Sequence, residues 1–312
     1  MMNIVALIVS PLIALITGLF FLGLSRKISA RIHWRYGPPV YQPFIDVMRA
    51  FSQKSITHGN FFDFGIILSL TGTIVLVLFL PIGGLWALNT GGLIMFLYLM
   101  LLGPFGIALS GAAAANPNSS IGISRNFLLA LAYEVPLLLI LLAVMTDYNT
   151  ISLVEIVEKQ AATGMAISSW RLVIPGIAYF LILPAILGLR PFEITGAVQE
   201  IASGPIAEFG GKHMAFYTLQ HALQTFVGIA LFVDIFLGGG TLFGLLNSLA
   251  GTVWVDILEI FIFLLKMVLV LFIGLFVNAV YPRFRIEQAM QYLWKWPTLI
   301  AFVGLVIVAI IN

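Results

Sequence analysis

The sequence contains no cysteine, and its 312 residues include only 15 Lys and Arg, 13 Asp and Glu, and 4 His. Without cysteine, the chain cannot form disulfides, thiolate zinc sites, cysteine-ligated iron–sulfur clusters or a cysteine nucleophile. The histidines, at positions 33, 58, 213 and 221, form no short-spaced metal motif. We therefore expect no cofactor in this chain, and any electron-transfer metal is expected in a partner.

Charge is also scarce, since 9% of the residues are charged and 61% are hydrophobic. A soluble domain carries about a quarter charged residues, so this composition excludes a soluble globular protein. One membrane crossing takes roughly 20 apolar residues. The pattern predicts an all-α integral membrane protein, a single membrane domain over residues 1–312 with about eight transmembrane helices. They are predicted at 2–24, 64–88, 91–115, 126–146, 171–189, 214–237, 252–280 and 296–311.

The basic residues are distributed unevenly between the predicted loops. The loops 25–63, 116–125, 190–213 and 281–295 hold 12 of the 15 Lys and Arg, whereas the opposite loops hold only Lys159 and Arg171. Cytoplasmic loops are enriched in Lys and Arg, so these four loops are predicted to face inside and both termini outside. Within the first loop, apolar residues recur at helical spacing over 40–54, which predicts a short amphipathic helix lying in the interface. We expect a multi-pass protein in the lipid bilayer of the cell (plasma) membrane.

Several ionisable residues fall within or near the predicted membrane helices, where an uncompensated charge costs several kcal/mol. Glu134 is interpreted as a protonatable step facing an internal water path, the alternative being a neutral, hydrogen-bonded packing residue. Lys266 is interpreted as a poised positive charge, the alternative being a fixed structural ion pair. Three acids lie near the outer ends of two helices, Asp234 on one and Asp256 and Glu259 on the other. They suggest a hydrated polar seam, although they could also meet interfacial water directly. The remaining candidates for an ion relay are His221, Asp234, Asp256 and Glu259.

The predicted inside loop 190–213 is too polar for a lipid-facing crossing. It contains three acids, Glu193, Glu200 and Glu208, which is more than a simple connection requires. No segment forms a P-loop, a dinucleotide fingerprint or a nucleophile elbow, and nucleic acid is not an expected partner. No repeat relates the two halves of the sequence, which argues against a stand-alone secondary transporter built from inverted repeats.

Four segments of the sequence resemble the cytoplasmic-side signatures of one family of membrane subunits. The family is the heel subunit shared by respiratory complex I, where it is subunit 1 or H, and by energy-converting membrane-bound [NiFe] hydrogenases. The likeness runs in order over nearly the whole chain. The segments are ARIHWRYGPPVYQPFIDVMRAF (30–51), SRNFLLALAYEVPL (124–137), RPFEITGAVQEIASGPIAEFGG (190–211) and YPRFRIEQAMQYLWK (281–295).

The resemblance implies a docking and coupling role. In this family the subunit binds a hydrogenase-like large subunit and an iron–sulfur small subunit on the cytoplasmic side, and it passes redox energy through charged residues to antiporter-like membrane subunits. Iron–sulfur clusters, and a [NiFe] centre in the hydrogenase branch, belong to those partners. Glu134, the three loop acids and Lys266 match charged positions of the family. The matching cytoplasmic arginines, for which we expect a docking role, are Arg31, Arg35, Arg125, Arg190, Arg283 and Arg285.

The departures from the family pattern favour one branch. Two positions where the family loop usually has glutamate are Gly196 and Val198 here, and the first signature lacks the longer insertion of complex I. Both differences resemble the hydrogenase branch or its sulfur-reducing sister complex. We therefore expect a subunit of a ferredoxin-dependent, redox-driven ion pump that is not catalytic by itself. The alternatives are a quinone-chamber subunit of a complex I-like dehydrogenase, a non-conducting structural anchor and a secondary transporter.

Overall fold

A computed structural model describes residues 4–88, 92–241 and 253–311, apart from the side chains of residues 4, 5, 253, 254 and 256. Within those ranges it is helical, with two short 3₁₀ turns at Ala166–Ser168 and Gly204–Glu208. The α-helices are α1 (Ile4–Ile32), α2 (Gln42–Ser52), α3 (Asn60–Leu78), α4 (Leu93–Met100), α5 (Leu102–Ala113), α6 (Pro117–Tyr148), α7 (Leu153–Thr163), α8 (Trp170–Ile186), α9 (Val198–Ile201), α10 (Lys212–Phe236), α11 (Val253–Val280) and α12 (Ile286–Ile311).

The predicted membrane helices are present. Seven spans of the described chain are long and apolar enough to cross a membrane, with α4 and α5 together forming one of them, and the 17-residue α8 is a shorter apolar helix. The segment predicted to be amphipathic forms α2, in which Val47 is buried and Met48 is exposed. The sidedness of the termini stays a prediction.

Several helix limits differ from those that hydropathy predicts. The helix predicted at 64–88 ends at Leu78, because Pro81 and the left-handed Gly83 and Gly84 form a turn in which Ile82 and Leu85 pair. The helix predicted from 126 begins at Pro117, where Asn116 caps it by accepting a hydrogen bond from the backbone of Asn118 (3.0 Å). The first of these helices is therefore shorter than predicted at its C-terminal end, whereas polar residues extend the second beyond its apolar run.

Helices α3 and α5 pack with their backbones in close contact through small residues. A side-chain carbon on Gly106 would lie 2.6 Å from the Gly65 carbonyl oxygen. The Ser69 hydroxyl donates to the Gly103 carbonyl (2.7 Å), and the Ser110 hydroxyl donates to the Phe62 carbonyl (2.8 Å). Small residues permit such contacts in membranes, where van der Waals packing and interhelical hydrogen bonds drive association.

Helix α10 is the most deeply buried of the seven spans. It contacts α1, α2, α3, α8 and α11, while α12 packs along α6 and α8. Its second half, from Phe226 to Phe236, is buried throughout. The position of α10 places His221 and Asp234 inside the protein.

The loops predicted to face inside gather at one end of the bundle, hereafter the basic end (residues 25–63, 116–125, 190–213 and 281–295). Contacts within and between these loops hold it together, including Arg26 Nη1 to Asp46 Oδ2 (3.0 Å) and His213 Nε2 to Asp63 Oδ1 (2.7 Å). At the other end, Gly92 pairs with Ser152, and Gln160 of α7 contacts the end of α10. We call this the opposite end (residues 79–88, 92, 147–171 and 234–241).

Candidate functional site

Glu193 lies where the loop after α8 meets the start of α12. Its Oε2 accepts from Arg190 Nε and from Arg283 Nη2, both at 3.1 Å. The backbone positions these groups, since Phe284 N–H donates to the Pro191 carbonyl (2.9 Å) and the buried Phe192 ring packs against that of Phe284. Glu193 therefore has a defined position although its side chain is about 43% exposed.

The other two loop acids also have partners from distant segments. Arg125 Nη1 of α6 contacts Glu200 Oε2 at 2.6 Å. Glu208 accepts from Asn116 Nδ2 at 2.6 Å and contacts His58 Nε2 at 3.1 Å. The acids of loop 190–213 thus connect it to the segments before α3 and α6 and to the start of α12.

A cavity of about 170 Å³ opens beneath this loop, between α5, α6, α8 and α10. Glu193, Thr195 and Gly196 form its wall at the basic end. Its polar lining inside the bundle comprises Asn126, Tyr133, Tyr217, Gln220, His221 and Gln224. The Tyr133 hydroxyl is buried without a hydrogen-bond partner among the described residues. The cavity thus connects a loop acid with polar groups in the membrane interior.

His221 and Tyr217 stand between this cavity and a second one. The second cavity, of about 200 Å³, lies between α1, α10 and α11 and is lined by Arg26, Tyr217 and His221 among others. The two rings are parallel within 3°, with centroids 6.2 Å apart. His221 is therefore neither in hydrocarbon nor in bulk water, and it borders two internal spaces.

Glu134 is not among the residues that line the first cavity, whereas its neighbour Tyr133 is. The Glu134 side chain is half-buried, on the border between the buried face of α6, with Ala130 and Leu137, and the exposed face, with Leu131 and Leu138. The cavity that links Glu193 to the interior therefore reaches Tyr133, the residue next to Glu134. A role for Glu134 in ion transfer stays a prediction.

The charged groups of the interior, near the opposite end, are arranged differently. The Lys266 ammonium donates to the carbonyls of Leu237 (2.8 Å), Gly239 (2.8 Å) and Thr241 (3.2 Å). A cation is favourable there because these carbonyls follow the C-terminal end of α10, where the helix dipole is negative. Backbone carbonyls are therefore partners of Lys266, whereas the sequence analysis considered only acids.

Asp234 is fully buried, and both oxygens of its carboxylate lack a hydrogen-bond partner among the described residues. Gln160 Nε2 donates instead to the backbone carbonyls of Asp234 (3.0 Å) and Ile235 (2.9 Å). The Glu259 carboxylate lies beside Gly84, where a side-chain carbon would be 2.5 Å from its Oε2. The side chain of Asp256 lies outside the described residues.

Comparisons with known proteins agree with this architecture. A family model described as NADH dehydrogenase matches residues 3–309. The chain belongs to this family. A solved structure of the membrane-bound sulfane sulfur reductase, an archaeal respiratory membrane complex, contains a chain that is 41% identical. The match has a TM-score of 0.89 and covers 97% of this chain and 98% of that chain.

As a member of the NADH dehydrogenase family, the protein is a complex I-like membrane subunit with multiple membrane spans. The family departures noted in the sequence lie at different places. Gly196 lines the cavity, and a side-chain carbon there would be 3.0 Å from Ile206 Cδ1. Val198, in contrast, is 66% exposed at the start of α9. Only the first departure changes the cavity wall.

Sequence reasoning did not find the partners of the charged residues. His58, Asn116, Gln160 and Asn278 all bond to elements of the candidate site, and Asn278 Oδ1 accepts from the Arg190 backbone (3.0 Å). No motif singles them out. Of the arginines with a predicted docking role, Arg125, Arg190 and Arg283 contact loop acids, and the Arg31 guanidinium lies 5.0 Å over the Tyr36 ring.

Proposed function

We propose that this protein is the membrane subunit of a ferredoxin-dependent, redox-driven ion pump related to the sulfane sulfur reductase complex. It would bind the hydrogenase-like and iron–sulfur subunits at its basic end and antiporter-like subunits within the membrane. The observation that carries the proposal is the cavity joining Glu193 to Tyr133, in a chain 41% identical to one of that respiratory complex. Any iron–sulfur clusters would be held by the partners.

Coupling would begin at Glu193. Charge that arrives on a redox subunit docked at the basic end changes the Coulomb energy of nearby acids. At an effective dielectric constant near 20, two unit charges 4 Å apart interact by about 4 kcal/mol, which shifts a pKa by about three units. Glu193 is suited to respond because it contacts two arginines and also faces the cavity. Glu200 and Glu208 pair with polar partners away from the cavity lining.

Transfer inward would use water and the polar wall of the cavity. A volume of about 170 Å³ has room for several water molecules, since one takes roughly 30 Å³ of liquid. The unpaired Tyr133 hydroxyl and the side chain of Gln224 supply hydrogen-bonding groups for such water. Glu134, next to Tyr133, would then pass the change in charge towards the surface of α6, where antiporter-like subunits would dock.

Ion flux and redox turnover, measured together in proteoliposomes, test the proposal. We expect reduced ferredoxin to drive release of sulfide from a sulfane-sulfur substrate together with ion uptake. Glu134→Gln and Glu193→Gln should each reduce ion uptake per sulfide about tenfold while sulfide release continues. Glu200→Gln should have a smaller effect because Glu200 does not line the cavity. Glu158→Gln, on the exposed face of α7, is the control.

Other outcomes would identify a different function. Unchanged uptake in Glu134→Gln would remove that residue from the relay. Ion flux through the isolated chain would indicate a transporter, and loss of assembly alone in Glu134→Gln/Lys266→Gln would indicate an anchor. Metal analysis of the purified complex separates the branches, since nickel together with iron indicates a hydrogenase. Recovery of a single metal-free polypeptide would contradict a redox assembly.

A further inference from the structure

The second internal cavity, of about 200 Å³, lies next to the cavity of the proposed relay. Three residues line both cavities and therefore form the partition between them, namely Leu187, Tyr217 and His221. Of these three residue types, only histidine commonly changes its charge between pH 5 and 8. The partition thus contains one side chain suited to exchange protons with both cavities near neutral pH.

The helical spacing of α10 explains why the partition residues face both cavities. Tyr217 and His221 are four residues apart, so their side chains are neighbours on one face of the helix. On one side of this pair Gln220 and Gln224 line the first cavity, and on the other side Thr218 lines the second. The boundary between the two cavities therefore runs along a single stripe of α10.

The ring nitrogens of His221 have no hydrogen-bond partner among the described residues. The side chain is only half-buried, although other helices surround α10. The exposed part of the ring therefore faces the two cavities that it lines. Buried polar groups are normally satisfied by protein or by ordered water, so water in the cavities is the expected partner of this ring.

The second cavity has both the polar groups and the volume that water requires. The hydroxyls of Ser25, Thr218 and Thr225 line it, and each donates to a carbonyl of its own helix, so each oxygen can still accept from water. A volume of about 200 Å³ has room for several water molecules, since one takes roughly 30 Å³ of liquid. Arg26 also lines this cavity, and its side chain is 48% exposed. The second cavity therefore reaches from His221 to a surface residue of the basic end.

The proposed relay needs an entry for protons that its redox partner does not block. Glu193, which is proposed to respond to that partner, forms the wall of the first cavity at the basic end. A subunit docked against Glu193 would cover this wall. The second cavity reaches the basic end at a different place, through Arg26 of α1. It could therefore supply protons while the redox subunit stays bound.

We infer that the second cavity is an aqueous proton entry to the proposed relay and that His221 carries the proton across the partition. One ring nitrogen takes a proton from water in the second cavity, which gives the imidazolium. The other ring nitrogen then gives its proton to water in the first cavity, and the neutral ring recovers its starting tautomer by rotation or by exchange with water. This inference rests on the proposed function and specifies that the ion entering the relay is a proton.

Cysteine labelling of the protein, purified with the subunits that accompany it, tests whether the second cavity contains water. The chain has no cysteine of its own, so any label on it reports an introduced residue. Thr218→Cys should react with methanethiosulfonate ethylammonium, detected as an increase in the mass of this chain. Ala230→Cys, at a fully buried position of α10, is the control that should stay unlabelled. A Thr218→Cys chain that reacts no faster than Ala230→Cys would overturn the inference.

Transport by the complex in proteoliposomes tests the transfer step. His221→Phe keeps a ring in the partition and removes both nitrogens, so proton uptake per sulfide should fall about tenfold or more, as expected for loss of a positioned proton-transfer group. Ile177→Phe, at an exposed position of α8 that lines neither cavity, is the matched control. In His221→Ala, added imidazole should raise uptake towards the wild-type value, which a purely structural role of His221 would not allow.

The outcomes separate this inference from the proposed function. If Glu134→Gln and Glu193→Gln lower uptake and His221→Phe does not, the second entry is wrong and the relay stands. Failure of imidazole to raise uptake in His221→Ala would also overturn the role of His221. If the complex moves no ion at all, the proposed function fails and the entry fails with it. Should His221→Phe not assemble, Thr218→Trp, which fills the second cavity and leaves His221 in place, should lower uptake, and unchanged uptake in that variant would exclude this route.

Discussion

The basic end and the membrane interior compensate their charges in different ways. At the basic end, Glu193, Glu200 and Glu208 each contact a cationic or amide side chain from another loop, and Glu193 and Glu200 remain nearly half exposed. In the interior, Lys266 is bound by backbone carbonyls, and the Asp234 carboxylate has no hydrogen-bond partner among the described residues. Exposed pairs contribute little stability and set loop positions, whereas each interior polar group has a large effect.

The largest effect is expected from breaking the close packing of the interior. Gly106→Leu would force α3 and α5 apart, because the new side chain would meet the backbone of Gly65 and Ser69. We expect a loss of about 3 kcal/mol or more, seen as a strongly lowered thermal midpoint or as unassembled protein in detergent. Gly210→Ala at the basic end, where a side-chain carbon would meet nothing within 4 Å, should be neutral. A well-folded Gly106→Leu protein would contradict this packing.

Removing the interior cation should have the next largest effect. Lys266→Met leaves the carbonyls of Leu237, Gly239 and Thr241 without the ammonium that they bind. The expected loss is about 2–3 kcal/mol, since hydrogen bonds to a charged group are strong when buried. Thermal unfolding in detergent measures it, with Lys295→Met, an exposed change on α12, as the control. Equal midpoints in the two variants would show that Lys266 is not a structural cap of α10.

The third prediction concerns the unpaired interior acid and has the opposite sign. Asp234→Asn keeps the shape of the side chain and removes its charge. Burying a charge without a hydrogen-bond partner is unfavourable, so the variant should be as stable as the wild type or more stable by about 1 kcal/mol. The thermal midpoint of Asp63→Asn, which loses the 2.7 Å contact with His213 at the basic end, should instead fall. A large loss of stability in Asp234→Asn would indicate that a bound cation or water network holds the carboxylate.

The smallest effect is expected from the exposed pairs. A double-mutant cycle on Arg125→Gln and Glu200→Gln should give a coupling energy of about 0.5 kcal/mol that decreases with added salt. The Arg26–Asp46 pair, which is also partly exposed, offers a second cycle for comparison. Coupling well above 1 kcal/mol at Arg125–Glu200 would show that the basic end relies on its ion pairs as strongly as the interior relies on buried polar bonds.

Hydropathy predicted the membrane helices and the amphipathic α2 because lipid requires long apolar helices. It did not predict their ends. Polar residues extend α1 to Ile32 and start α12 at Ile286, and the glycines after Pro81 end α3 early. The break between α4 and α5 at Leu101 was also missed. The proline that marks this region in the sequence, Pro104, lies three residues beyond the break.

The sequence predicted which residues belong to the candidate site, but it did not predict which of them contact one another. Sequence resemblance identified the loop acids and the arginines, but it assigned the arginines to docking, whereas the structure also places three of them against those acids. Their docking role, and the relay role of Glu134, His221 and Lys266, stay predictions. The cavity was expected at Glu134, and its wall is formed by the neighbouring Tyr133. One helical position is about 100° of rotation, which a sequence pattern alone does not specify when both neighbours are polar.

The amino-acid sequence by itself determined that this protein lies in a membrane, that its chain has no cysteine chemistry and that most of its basic residues belong to one end. Composition and hydrophobic length decide those properties, because hydrocarbon excludes charge regardless of how the helices pack. Only the tertiary structure decided which acid faces the cavity, which carbonyls bind Lys266 and that His221 lies between two cavities. These properties depend on contacts between residues far apart in the chain, and side-chain packing sets them.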